Sequence, residues 1–258
     1  MSIRILPARR KFLRAYFPLF LVLSLLALTP ATATAQQQVS KRFATGKNFR
    51  FVLRNISGKV TVESWNRNEV KISATMESPK ANVAPKQLGE GVMVDVVGDN
   101  RGRGDVGNVN FKIQVPFNST VDIETKMGDI TIANIRAEIV RAYVSSEGDI
   151  ELTGISASQV FAQITTGNIF FDGEVARGGA YHFQTTKGDI SIRLPASSAF
   201  DLSASAPDKK LALGQFWNST FKTMGEGQRF SKTVVSVNDG RAKVVIRNFE
   251  GGITFVRR

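Results

Sequence analysis

Met127-Gly128-Asp129-Ile130, Glu147-Gly148-Asp149-Ile150, Thr166-Gly167-Asn168-Ile169 and Lys187-Gly188-Asp189-Ile190 are four forms of one phrase within residues 121–194, with glycines 20, 19 and 21 residues apart. A near-constant period of about 20 residues marks an array in which each unit stacks on the one before. The phrase belongs to a longer template, apolar-x-apolar-x4-Gly-x-apolar-x-apolar. Val121, Ile123, Gly128, Ile130 and Ile132 fit it, as do Val160, Ala162, Gly167, Ile169 and Phe171, and Tyr181, Phe183, Gly188, Ile190 and Ile192.

Working outward, Phe51, Leu53, Gly58, Val60 and Val62 match the template near one end, and Val244, Ile246, Gly251, Ile253 and Phe255 near the other. The unit around Gly148 is the exception. Its upstream apolar residues, Val140, Ala142 and Val144, are one position off register. A bulge or a longer corner is expected there.

Apolar residues two apart lie on one face of a β-strand, so both halves of the unit read as strands. From Ile123 to Ile130 the step is odd, and a single straight strand would put the two sets on opposite faces. The chain must therefore turn between them. Glycine permits positive φ there, and the adjacent Asp or Asn can hydrogen-bond the turning backbone. The expected fold is all-β: a β-solenoid or β-helix-like stack of strand-corner-strand repeats spanning residues 50–258 as a single domain.

The remaining segments are read around this array. Arg4, Arg9, Arg10, Lys11 and Arg14 precede an apolar run over residues 15–28, and Ala31-Thr32-Ala33-Thr34-Ala35 follows. Basic start, apolar middle and small-x-small end make residues 1–35 a secretory signal peptide, cut after Ala35. The alternative is a retained anchor, against which the apolar run falls short of the roughly 20 residues a spanning helix needs. No cysteine is present for lipid attachment, disulfides or thiolate chemistry. Residues 36–49 read as a loose lead-in. Val60–Ser64 and Val70–Ala74 read as a hairpin turning at Trp65-Asn66-Arg67-Asn68, residues 79–90 as a loop, and 98–107 as a flexible, partly basic tip. Residues 206–238 read as an irregular insert, polar and basic, whose Phe216, Trp217, Phe221 and Phe230 argue that it packs on something, one end or flank of the stack being a candidate.

The Gly-Asp-Ile repeats, the Val115-Pro116 pair before them, the Ile192-Arg193-Leu194-Pro195 ending and Asn55-Ile56-Ser57-Gly58-Lys59-Val60 resemble the bacterial DUF4097 repeat proteins, also called the putative adhesin family. The resemblance runs from about Arg50 to the C-terminus. It implies a β-solenoid or β-helix-like fold and an exported, cell-envelope location. It carries over no catalytic residue.

Three features could carry chemistry. His182 is the sole histidine and should point away from the Tyr181/Phe183 face. Any Ser-His-Asp arrangement would have to use it. Asp129, Asp149, Asn168 and Asp189 would form a row about 4.8 Å apart if the units stack in register. Calcium could bridge such a row, but Asn168 interrupts it and the Gly-Gly-x-Gly-x-Asp repeat of calcium-binding β-rolls is missing, so turn capping is the reading. No catalytic residue, metal site or cofactor is assigned. The third feature is basic charge. The formal net charge is +12, and the first 35 residues hold five basic side chains and no acid, leaving +7 beyond them. A positive exported chain attracts anionic envelope polysaccharide or lipid, or an envelope protein, in a salt-dependent way. No specific nucleic-acid motif is present, and no transmembrane segment would remain after cleavage.

The expected function is therefore a non-catalytic, exported envelope protein, periplasmic, cell-surface or secreted, binding a surface, glycan or protein. Two alternatives stay open: a β-helix polysaccharide lyase or hydrolase, and an envelope-stress signalling component. The ligand and the oligomeric state are not legible in the residues.

Overall fold

Alternation of apolar and polar residues carries through from the sequence into nineteen strands among the described residues. The structure, a computed structural model, describes residues 37–207, 210–216, 221–224 and 230–258, with the backbone alone over 221–224, 230 and 231. The expected signal peptide lies outside these residues.

The first strands are β1 (Gln37–Ala44), β2 (Arg50–Ser57), β3 (Val60–Trp65), β4 (Glu69–Met76), β5 (Lys86–Leu88), β6 (Gly91–Asp95) and β7 (Val109–Pro116). The repeats follow as β8 (Thr120–Met127), β9 (Ile130–Ala133), β10 (Arg136–Glu147), β11 (Ile150–Thr166), β12 (Ile169–Lys187) and β13 (Ile190–Leu194). The chain ends with β14 (Phe200–Pro207), β15 (Leu211–Ala212), β16 (Phe221–Met224), β17 (Phe230–Val237), β18 (Lys243–Asn248) and β19 (Ile253–Arg257). The fold is all-β and β-helix-like. Among the described residues the one α-turn, α1 (Val96–Asp99), runs into the start of the expected flexible tip. Asp95 caps it, and buried Asn100 closes it by donating to the carbonyls of Val96 and Asn82.

Pairing in the repeat region is parallel and advances one unit per rung. Val121 faces Val140, Val140 faces Val160 and Val160 faces Tyr181, while Ile130 faces Ile150, Ile150 faces Ile169 and Ile169 faces Ile190. Two runs of strands result, one upstream of the glycines and one downstream. The upstream run continues through β2 on one side and β18 on the other, the downstream run through β3 and β19. Inward side chains of both runs form one core, with Ile123, Ile130, Phe171 and Phe183 at most 1% exposed. Burying each such side chain contributes about 1.5–3 kcal/mol.

The glycines stack. A Cβ on Gly128, Gly148, Gly167, Gly188 or Gly251 would overlap the carbonyl oxygen of the glycine in the neighbouring rung. Four of these five also have positive φ between 111° and 153°, so no other residue fits the corner. The unit at Gly148 carries the expected irregularity, a register shift between Val144 and Glu147 against both neighbours.

Four readings of the sequence need correction. The lead-in is not loose: β1 pairs antiparallel with β4 from Gln37↔Met76 to Ala44↔Glu69. Its partner edge arrives some 30 residues later, beyond the reach of a local pattern. The hairpin at Trp65–Asn68 is instead a corner, because β7 lies between the two strands, parallel to β3 and antiparallel to β4. The loop over 79–90 includes β5, which pairs with β6. The insert over 206–238 holds regular strand where it is described: β17 pairs antiparallel with β14 over its whole length, and Phe216 is buried against Phe200 and Phe255, while Trp217 and the side chains of Phe221 and Phe230 lie outside the described residues.

Candidate functional site

Outward positions of the upstream run form rows across the strands, because parallel in-register pairing places equivalent residues side by side. One row reads Asp122, Arg141, Phe161, His182 and Val245 on β8, β10, β11, β12 and β18. The next reads Glu124, Tyr143, Gln163, Gln184 and Arg247. Between the rows lies a shallow depression of about 370 Å³ lined by Arg141, Tyr143, Phe161, Gln163 and His182. Phe161 is 37% exposed at its centre, a large hydrophobic ring facing water from mid-sheet.

The electrostatics of this face are set by pairing. Asp122 is shared by two arginines, with Arg50 Nη2 at 3.0 Å and Arg141 Nη1 at 3.6 Å. His182 points outward as its register requires, between buried Tyr181 and Phe183. Burial pulls its pKa below the ordinary imidazole value, the Arg247 guanidinium lowers it further, and a hydrogen bond with Gln184 opposes both. Its neighbours are an arginine, a glutamine and an aromatic ring, which is a setting for stacking and hydrogen bonding.

The stacked acids at the corners are engaged with backbone. The N–H of Asp149 donates to Asp129 Oδ1 at 3.1 Å, that of Asn168 to Asp149 Oδ1 at 2.7 Å, that of Asp189 to Asn168 Oδ1 at 2.9 Å and that of Gly252 to Asp189 Oδ1 at 2.7 Å. Each side chain thus caps the next rung's turn. Asn168 continues this ladder rather than breaking it, since an amide oxygen accepts as a carboxylate does. Among the described residues no group of three or more His, Cys, Asp or Glu is arranged to hold a metal.

A second polar cluster lies on the downstream run. Asp172, 6% exposed, accepts from Arg193 Nε at 2.9 Å and from its Nη2, and Arg258 Nε lies 3.5 Å from its other oxygen. Arg258 also reaches Glu174 at 3.7 Å, and the Arg193 guanidinium lies 5.9 Å from the Phe170 ring centre. A buried carboxylate needs such partners. The cluster ties the end of β19 to β12.

Sequence reasoning named His182 but assigned no site, and it passed over Arg141, Tyr143, Phe161 and Gln163. The signal was present in the x positions of the template, in Val140-Arg141-Ala142-Tyr143-Val144 and Val160-Phe161-Ala162-Gln163-Ile164. The one-residue offset of the Gly148 unit hid it. Only the register shift near Val144 brings Arg141 opposite Phe161.

Among solved structures, one similar to this chain is described as a putative cell adhesion protein from Clostridium sporogenes ATCC 15579. It has 10% identity and a TM-score of 0.50, with 86% of this chain and 100% of that one covered. Another is described as a putative adhesin from Bacteroides fragilis NCTC 9343, with 9% identity, a TM-score of 0.44, and 86% and 99% covered. The first likeness shows the fold alone. No curated protein matches the sequence. Among the described residues no helix is long and apolar enough to cross a membrane. The profile of the Toastrack DUF4097 family matches residues 51–254, nearly the whole described chain, and the protein belongs to that family.

Proposed function

We propose that this protein is a non-catalytic binding or scaffold module of the bacterial cell envelope, exported by its N-terminal segment, whose β-solenoid of strand-corner-strand repeats presents a flat sheet face to a surface, a glycan or another protein. One observation carries the reading. The aromatic, amide and guanidinium groups of the outward rows are fixed by parallel strands in register, with Phe161 left open to solvent among them. A rigid surface of this kind binds without having to order itself first, which removes part of the cost of association. The likeness in fold to a protein described as a putative cell adhesion protein is in keeping with it.

The test is retention on isolated envelopes. The full chain, produced with its N-terminal segment so that any processing occurs in the cell, should cosediment with envelope fragments, and part of the binding should survive high salt. Retention abolished by salt would reduce the reading to a basic surface, since exposed charges are screened beyond about a Debye length. Turnover of an acidic or neutral polysaccharide by the same preparation would overturn it.

A further inference from the structure

We propose that the depression around Phe161 is a subsite for an acidic polysaccharide, whose chain runs across the strands along the stack. The proposal rests on the binding role above and names its ligand class.

The geometry suits a polymer. Successive rungs are about 4.8 Å apart, so Arg141, Phe161 and His182 form one line of side chains along the stack and Tyr143, Gln163, Gln184 and Arg247 a parallel one. A chain of repeating units laid along that axis meets a repeating set of groups. A compact ligand would meet one or two.

The chemistry suits a sugar. Phe161 leaves 37% of its surface open within the depression, apolar surface against which the C–H face of a pyranose can pack. Gln163 and Gln184 each present a donor and an acceptor in one plane, the combination that vicinal hydroxyls satisfy. His182 and Tyr143 add hydrogen-bonding tips beside the ring.

Charge then selects an acidic sugar. Arg141 and Arg247 flank the central residues along the stack, and both are exposed. The acids nearest the depression are Asp122, already shared by Arg50 and Arg141, and Glu124, at the far end of the second row, while Asp95 beside Arg54 and Asp201 beside Lys243 lie further out on the same face. Arg247 approaches His182 closely enough to oppose its protonation, and among the described residues no ion pair engages it. A carboxylate on the sugar would be met by guanidinium groups, which bind carboxylates in a forked geometry. A protein partner suits the surface less. A specific interface buries about 800 Å² per partner around an apolar centre. Of the other exposed large hydrophobics, Val234 lies in the Phe161 row but four strands along it, and Leu88, Val97, Phe117, Met127, Phe249 and Val256 lie on other elements, so none adjoins the ring to make an apolar centre.

The experiment measures affinity of the full chain for polygalacturonate, with dextran and dextran sulfate as comparisons, by gel retardation in polysaccharide-loaded gels at low and high salt. The expected result is preference for polygalacturonate over dextran and a loss of about tenfold for Phe161→Ala, the factor equivalent to about 1.4 kcal/mol. Phe161→Tyr should restore binding, Arg247→Ala should weaken polygalacturonate alone, and Lys112→Ala on the other face should change nothing. Thermal melts of Arg247→Ala, Lys112→Ala and Phe161→Tyr should match the parent, and Phe161→Ala, whose ring is only partly exposed, should still melt cooperatively above the assay temperature. Four results would overturn the proposal. Binding of dextran sulfate that equals polygalacturonate and ignores Phe161→Ala would mean charge alone. Dextran bound as tightly would mean a neutral-sugar site. Retention on envelopes with no polysaccharide bound would leave the envelope role standing and remove the sugar. Loss of envelope retention in Phe161→Ala without polysaccharide binding would assign the face to a protein or a lipid.

Discussion

Replacing Gly167 by alanine tests whether the corners are as closely stacked as the structure shows. Gly167 has φ of +137°, a region that L-residues enter at a cost of about 1–3 kcal/mol. Its added methyl would overlap the Gly148 carbonyl oxygen and come within 3.0 Å of Ile164 Cδ1. Neither can yield freely: one is backbone, the other core. The corner must shift, straining the Gly167 N–H to Lys187 O bond at 2.7 Å and the Gly148 N–H to Thr166 O bond at 3.1 Å. Each is worth about 1 kcal/mol. The total comes to about 3–5 kcal/mol, or about 10 °C in melting temperature for a chain of this length. Gly178→Ala is the matched control, because Gly178 also has positive φ, +75°, but nothing lies within 4 Å of its Cβ position. Conformational strain alone predicts about 1–2 kcal/mol there. Scanning calorimetry on both variants decides the matter. Equal melting temperatures, or Gly167→Ala the more stable, would show that the glycines are kept for φ alone and that the column is not close-packed.

Further outcomes follow from the same geometry. Ile150→Asp places a carboxylate where the side chain is 1% exposed and should abolish the cooperative melt, whereas Asp149→Ala loses one bond to the Asn168 N–H and should cost about 1 kcal/mol; an unchanged melt for Ile150→Asp would contradict the repeat. Tyr181→Phe should destabilise by about 1–3 kcal/mol, because the hydroxyl donates to Ala157 O and accepts from the Ala176 N–H, both at 2.6 Å. The His182 imidazole should titrate below its ordinary 6.5 by NMR. Between that lowered value and 6.5 the unfolded chain holds a proton the folded one does not, so stability should fall as pH falls through this window, and His182→Gln should flatten the slope. A midpoint at or above 6.5 would contradict the burial of this ring.

The sequence alone determined the unit and its period. Apolar residues two apart, a glycine at the odd step and an Asp or Asn beside it leave one local solution, two strands meeting at a sharp corner, and the 19 to 21 residues between glycines equal the offset at which successive strands pair. The outlying matches at Gly58 and Gly251 were legible for the same reason, and the structure stacks both on the column. What only tertiary structure decided is the order of the strands and everything that depends on a partner. β18 pairs with β12 on one side and with β14 on the other, so the last unit of the chain sits inside the stack rather than at its end. β7 likewise separates β3 from β4, and β1 finds its edge on β4. A turn such as Trp65–Asn68 serves a hairpin and a corner equally well, and the choice lies with whichever strand supplies the complementary face. The candidate site has the same origin. Arg141, Phe161 and His182 are unremarkable outward residues in three separate units, and they become one surface because parallel pairing, corrected by the bulge after Val144, sets them side by side.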